Sequence, residues 1–215
     1  MQFINLTKLI MQEDKQSNSF YQWYRNFVKG KTRNVFDWVF AIWVLYSAQI
    51  YPQLPGIAIC FVGATIRFWA GGYLRKDNRL AAGGPYAWIR NPLYFGRWLM
   101  AIGVAISIEN YPLAIAVTII LAAVYHYTIL DEETKLIEIF GEPYRIYCAT
   151  VPRFIPRLWP ASTEQMSKVN PEAALRAFDW SLAWTKNKGY EAYLSFFGLI
   201  GGVALIAYAW GFFKG

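Results

Sequence analysis

Charge is scarce in this chain. Only 16% of its 215 residues are Asp, Glu, Lys or Arg, against about 25% in an ordinary soluble domain. Hydrophobic residues reach 56% and aromatic residues 19%, a balance that excludes a soluble globular protein and points to an integral membrane one. Histidine occurs once, at His126, and cysteine twice, at Cys60 and Cys148, without a Cys-x-x-Cys spacing. No zinc-ligand set or dithiol redox motif can be assembled from these, so no metal is expected. Cys60 falls in an apolar run and Cys148 in a polar one, which makes a disulfide between them implausible. No Gly-x-Gly-x-x-Gly turn follows a strand-like run, no internal repeat is evident, and no early uninterrupted apolar stretch marks a cleaved signal peptide.

What is present is a series of apolar segments at about 35–51, 55–73, 93–108, 111–130 and 190–213. Each approaches the ~20 residues needed to cross a bilayer, the first and third being short. The expected fold class is therefore an all-α integral membrane protein with about five transmembrane helices. Basic residues set its orientation, because short loops rich in Lys and Arg stay on the cytoplasmic side. Six lie in residues 1–34, four in 75–92 and eight in 132–189, while 52–54 and 109–110 carry none. The N-terminus and both large polar blocks are then expected on the cytoplasmic side. The net charge of +7 is spread over three juxtamembrane stretches, which suits anionic headgroups better than nucleic acid.

The expected organisation has three parts: an interfacial segment at 1–34, a membrane core at 35–158, and an amphipathic helix followed by a transmembrane helix at 159–215. In the first, Ser19 precedes Phe20, Trp23, Tyr24 and Phe27 at helical spacing, an aromatic stripe suited to a helix lying in the interface. In the second apolar segment Gly56, Gly63, Gly71 and Gly72 permit close helix approach. Arg67 in that segment must face protein, water or headgroups, either paired with Asp37 or lining a ligand cavity. The fourth segment should continue as helix through Asp131, Glu132 and Glu133 and stop at Gly141. A short helix then starts near Pro143 and ends at Pro152, with Tyr144 and Tyr147 on one face. Residues 160–171 read as a linker. Asn170-Pro171 opens a further helix that carries Leu175, Phe178 and Leu182 at helical spacing.

Two polar blocks carry the chemistry. In the first, Gly83-Gly84 lets backbone N–H groups approach an anionic or polar ligand, and Pro85 stiffens the turn. Arg90 offers bidentate contact to a carboxylate or phosphate, and Asn91 offers both a donor and an acceptor. The same residues would also serve as a plain basic turn at the membrane surface. In the second, a Glu at 132 or 133 could point toward the first block and accept hydrogen bonds from ribose hydroxyls or a cation, or could simply be solvated.

The order of these elements, Gly83-Gly84-Pro85-Tyr86, Arg90-Asn91-Pro92-Leu93-Tyr94-Phe95-Gly96, Glu132-Glu133, Phe140-Gly141-Glu142-Pro143-Tyr144 and Val151-Pro152-Arg153-Phe154-Ile155-Pro156, resembles the isoprenylcysteine carboxyl methyltransferase and phospholipid methyltransferase superfamily over about residues 55–158. The resemblance implies a membrane enzyme that binds S-adenosylmethionine in a cytoplasmic pocket and methylates a lipophilic acceptor entering between helices. Most like this chain would be isoprenylcysteine carboxyl O-methylation. Carried over residue by residue, it gives Gly83, Gly84, Pro85, Tyr86, Arg90, Asn91, Pro92, Tyr94, Gly96, Tyr144 and Tyr147 for the cofactor, with Arg153, Glu133 and Glu132 as catalytic residues. Gly141 also matches. The family commonly has Arg-His-Pro where this chain has Arg90-Asn91-Pro92. Asn91 replaces that histidine as a hydrogen-bond donor but cannot shuttle a proton. The single His126 falls inside the fourth segment, where a helix–helix hydrogen bond is its simplest use.

On this reading Arg153 orients the acceptor, Arg90 and the Gly83-Gly84 amides hold the methionine part, and Glu132 or Glu133 binds the ribose or ammonium. Tyr94, Tyr144 and Tyr147 wall the adenine or sulfonium. The rival readings are phospholipid amine N-methylation, an NADPH-dependent membrane sterol reductase, which shares elements like Tyr147-Cys148 and Val151-Pro152, and a non-catalytic membrane protein.

Overall fold

The computed structural model describes residues 42–44, 46–75, 80–174 and 177–214. The interfacial stripe at Phe20 to Phe27, Asp37 and the first part of the first expected span lie outside the described residues. The chain divides into two units, Met1–Tyr46 and Ser47–Gly215, and both polar blocks belong to the second. Among the described residues there is no strand, and the regular secondary structure is all helical.

Helix α1 (Leu54–Gly71) starts with Pro55 in its first turn, where a missing N–H costs nothing. It pairs closely with α2 (Pro92–Ser107) because glycines face each other along the seam. A Cβ on Gly63 would stand 2.6 Å from the Gly96 carbonyl oxygen, and one on Gly103 would stand 2.5 Å from the Cys60 amide nitrogen. Backbone therefore lies directly on backbone, as small residues allow in membrane helices. A tight turn follows α2, with Glu109 at φ 54°. The Asn110 side chain accepts from Leu113 N at 2.9 Å and donates to Ser47 Oγ at 2.8 Å, so it caps the next helix and ties it to the start of the unit.

Helix α3 (Tyr111–Phe140) runs for 30 residues, roughly 45 Å. That exceeds a hydrocarbon core of about 30 Å. It ends where the sequence places its stop, at Gly141, whose φ of 62° suits a residue without Cβ. Helix α4 (Glu142–Thr150) follows with Pro143 in its first turn. Helix α7 (Tyr190–Lys214) packs on α1 and α2. Among the described residues three helices are long and apolar enough to cross a membrane, α1, α3 and α7 over Tyr190–Phe212; α2 is shorter, at 16 residues.

The region expected to be a linker is instead ordered. Helix α5 (Thr163–Val169) begins with a capping box in which Ser162 Oγ accepts from Gln165 N at 3.2 Å and Gln165 Oε1 accepts from Ser162 N at 3.0 Å. Its Met166 and Val169, with Ala161, are buried against Leu80, Ala82, Tyr86, Tyr144, Tyr147 and Val151. Composition alone favours a linker, but the Ser-x-x-Gln spacing is a helix start. Helix α6 (Pro171–Ala174) opens at the expected Pro171. Residues 177–179 are coil, so Phe178 and Leu182 do not share one continuous helix. Phe178 and Trp180 pack on Phe68, and a π-helical turn (Leu182–Lys186) follows. Asn187 Nδ2 then donates to the Gly71 and Leu74 carbonyls at 2.7 and 2.5 Å, closing the orphan end of α1.

Candidate functional site

The two polar blocks meet beyond the end of α1. A 3-10 turn (Gly84–Ala87) opens the first block, with Gly84 at φ 57° and its Cα facing the Tyr73 ring so closely that a Cβ would collide with it. Glycine is required there twice over, by dihedral and by space. Backbone bonds then lace this block to the segment after α4: Arg90 N donates to Pro152 O at 2.9 Å, Arg157 N to Trp88 O at 3.0 Å, and Ala161 N to Ala87 O at 2.9 Å. Two side chains complete the seam. Tyr147 Oη donates to Tyr86 O at 2.8 Å, and Asn91 Nδ2 donates to Arg153 O at 3.0 Å.

At the centre stands Glu133, in the C-terminal part of α3 and buried. One carboxylate oxygen accepts from Arg90 Nη1 at 2.8 Å; the other accepts from Arg153 Nη2 at 2.8 Å, and Arg153 Nε bridges both at 3.1 and 3.2 Å. Arg90 Nη1 also donates to Cys148 Sγ at 2.9 Å. Arg90 and Glu133 are 11% and 7% exposed and Arg153 is 34% exposed, so the Arg90 arm of the trio is the dry one. Two cations on one carboxylate leave a net positive centre. Hydrogen bonding to Glu133 pushes the Arg153 pKa up, against the effect of burial.

A cavity of about 200 Å³ lies against this centre, lined by Leu74, Leu80, Tyr86, Arg90, Leu136 and Tyr144 among others. That is below the roughly 300–1,000 Å³ of a pocket for a drug-sized molecule, so it suits one moiety of a nucleotide-sized ligand. Three of its lining residues carry a polar atom that is buried without a hydrogen-bond partner, Arg75 Nε, Tyr86 Oη and Arg90 Nε. Buried donors are normally satisfied. A ligand with acceptor groups would meet such donors.

The tyrosines of the site stay neutral. Burial pushes the Tyr86, Tyr144 and Tyr147 phenols well above their ordinary value, helped at Tyr86 by Glu132 and at Tyr144 by Cys148. Burial also raises the Cys148 thiol. A raised phenol pKa in the folded state means that the folded form holds protons which the unfolded form loses near pH 10. Stability is therefore full below about pH 10 and falls as pH rises beyond it toward the folded pKa. Thermal unfolding followed from pH 8 to 11 should show a flat midpoint to about pH 10 and a decline above. Replacing Tyr147→Phe removes the bond to the Tyr86 carbonyl and leaves a buried acceptor unmet, which should cost about 1–3 kcal/mol in a denaturation assay.

Not every expected residue lies on this cavity. Arg90, Asn91, Tyr86, Tyr144 and Tyr147 line it, and Glu133 and Arg153 flank it through Arg90. Gly83, Gly84 and Pro85 form the turn that carries Tyr86. Pro92 opens α2, and Gly96 sits at the α1–α2 seam against Gly63 and Arg67, where its part is packing. Tyr94 stacks on Tyr125 at 4.8 Å and donates to Glu132 Oε1 at 2.6 Å, so Glu132 faces a different neighbour from Glu133. His126 packs edge-on against Tyr127. Cys60 and Cys148 are both free thiols. Sequence reasoning misses Cys148 beside Arg90, and Leu136 and Phe140 as wall residues, although Tyr144 and Cys148 stand four apart on one helix, as do Leu136 and Phe140, and so share a face.

Residues 56–143 match the phospholipid methyltransferase family. A Schizosaccharomyces pombe protein-S-isoprenylcysteine O-methyltransferase is 32% identical over 38% of this chain and 34% of its own length. Its Xenopus laevis counterpart in name is 29% identical over 53% of this chain and 47% of its own. The cobalt-zinc-cadmium resistance protein CzcN of Cupriavidus metallidurans is 31% identical over 48% and 47%. The matches thus span between about a third and half of these relatives. No solved structure matches. The family match covers most of α1 and all of α2 and α3 and ends at Pro143, before Tyr144, Tyr147 and Arg153, and over these parts the chain is similar to phospholipid methyltransferases and to isoprenylcysteine O-methyltransferases.

Proposed function

We propose that this chain is an integral membrane methyltransferase that moves a methyl group from S-adenosylmethionine to a lipophilic acceptor, most like isoprenylcysteine carboxyl O-methylation. The observation that carries this reading is the Arg90–Glu133–Arg153 trio beside a cavity whose lining residues hold unmet donors, among them Tyr86 Oη and Arg90 Nε. The donor set fits the cofactor: a carboxylate would satisfy Arg90 Nε and Tyr86 Oη, and Leu74, Leu80 and Leu136 offer apolar walls to a nucleoside base.

When bound, S-adenosylmethionine supplies a methyl group on a positively charged sulfur. Within this chain, Glu133 fixes the direction of both guanidiniums, so Arg90 is aimed into the cavity while Arg153, the more exposed partner, is free on one side to orient an acceptor carboxylate. A carboxylate acceptor is already a nucleophile and needs no general base. That agrees with a site whose tyrosines are held neutral and which has Asn91 rather than a histidine. Asn91 acts in this scheme as a clamp on the Arg153 backbone. The apolar walls exclude water. Five spans, a cytoplasmic N-terminus and site, and a core at 35–158 complete the proposal.

The match to a phospholipid methyltransferase family favours a second acceptor, a phospholipid amine. Incubating purified protein in lipid nanodiscs with radiolabelled S-adenosylmethionine and either farnesylcysteine or phosphatidylethanolamine separates them. Label in the farnesylcysteine ester is the expected result; label only in the phospholipid selects the amine, and label in neither removes the proposal.

A further inference from the structure

We propose that Arg67 and Arg97 form a binding site for the phosphate of an anionic lipid headgroup, separate from the cavity beside Glu133. Arg67 lies near the end of α1, half-buried. Its Nη1 meets only the Met100 sulfur, at 3.5 Å, and its Nε is buried without a partner. A thioether is a weak acceptor, so a group with five N–H donors is left almost wholly unmet. The stem is held in place by a glycine: a Cβ at Gly96 of α2 would come 2.6 Å from Arg67 Cγ, so the empty position lets the arginine lie across α2.

Arg97 follows Gly96 on α2, is exposed, and acts on Arg67 as a like charge. The acids around them are engaged elsewhere. Glu191 at the start of α7 lies near Arg67 but pairs with Lys188 at 4.0 Å, and Glu132 accepts from Tyr94 at 2.6 Å. Among the described residues neither acid reaches either arginine at ion-pair distance. Two like charges held together at the end of apolar helices are costly unless an anion joins them. A phosphodiester is suited to the task, since its two free oxygens can each take hydrogen bonds from a planar guanidinium.

A lipid is the source that the surroundings favour. Arg67 and Arg97 stand at the same end of α1 and α2, where the exposed Trp69 and the half-buried Trp98 supply the aromatic residues usual at headgroup depth. The inference rests on the reading of the chain as a membrane protein and is independent of methyl transfer.

Native mass spectrometry of the detergent-purified full chain, given equal amounts of phosphatidylglycerol and phosphatidylcholine, reads the site directly. Wild-type protein should retain phosphatidylglycerol preferentially, and R67Q and R97Q should each reduce that preference about fivefold. Arg97 is exposed, so R97Q tests the site even if R67Q fails to insert. Equal retention of the two lipids by wild type, or a preference that survives R97Q, would overturn the proposal. Inorganic phosphate that displaces the lipid at equal concentration would assign the site to a free anion and overturn the lipid source. Binding of S-adenosylhomocysteine by the same samples is a separate readout: its absence in wild type counts against the methyltransferase reading alone, and its loss in R97Q counts against a lipid site separate from the cavity.

Discussion

Replacing Glu133→Gln is expected to lower methyl transfer about a hundredfold, because both arginines then lose the group that aims them. The carboxylate is the single anion between Arg90 and Arg153 at 2.8 Å on either side. Gln keeps the shape and an acceptor oxygen but no charge, so Arg90, which is 11% exposed, becomes a nearly buried cation without a counter-ion. Breaking one partner of a buried pair costs about 3–5 kcal/mol. Glu133→Ala, which removes the acceptors as well, should approach the lower figure once the screened Arg153 half is discounted. At roughly 2–4 °C per kcal/mol for a chain of this size, the midpoint of thermal unfolding would drop by about 6–12 °C. Arg153→Ala provides the contrast. Glu133 keeps Arg90 in that variant, so activity should fall with little change in unfolding temperature. If instead Arg153→Ala destabilises as much as Glu133→Ala, the trio is a structural strut and not a device for positioning substrate.

Gly63→Val is expected to lose most of its folded protein. The seam between α1 and α2 has no room for a side chain: a Cβ on Gly63 would stand 2.6 Å from one backbone carbonyl and 2.8 Å from the Met100 amide nitrogen. Backbone atoms cannot rotate aside as a flexible side chain can, so the helices must separate. Overpacking of a well-filled core typically costs about 1–3 kcal/mol, and a β-branched residue on a backbone contact belongs at the upper end. The matching change at Gly201 of α7, where a Cβ would meet nothing within 4 Å, should leave thermal unfolding unchanged. Size-exclusion profiles and unfolding midpoints of the two variants, purified side by side, check the contrast. Since α2 carries Asn91 and Tyr94 into the site, a parted seam would also disturb the chemistry.

Much of this architecture is legible in the sequence because its signals are local. Gly141 stops α3 and Pro143 opens α4 where backbone dihedrals and proline sterics say they should. The facing of Gly56 and Gly63 toward another helix follows from residue size. The site is legible in its membership and less so in its roles. The sequence lets Glu132 or Glu133 point toward the first polar block, but does not show the engagement of Arg90 and Arg153 by one carboxylate, since such pairing depends on where α3 ends relative to two separate loops. Resemblance assigns Gly96 to the cofactor, whereas its position follows from the helix seam. Helix α5 escapes a reading that weighs small polar residues by composition, although Ser162 and Gln165 carry the capping signal. Long-range packing, such as Met166 under Tyr144 and Tyr147, has no local signature at all.

The cavity beside the Arg90–Glu133–Arg153 trio is proposed to hold S-adenosylmethionine, and on this the whole functional account turns. Isothermal titration of the detergent-purified protein with S-adenosylmethionine, S-adenosylhomocysteine and NADPH tests it most directly. Saturable binding of both adenosyl ligands, weakened in Arg90→Ala and Glu133→Gln, with no heat from NADPH, is the expected result. Binding of NADPH alone, or adenosyl binding that neither substitution weakens, would contradict it.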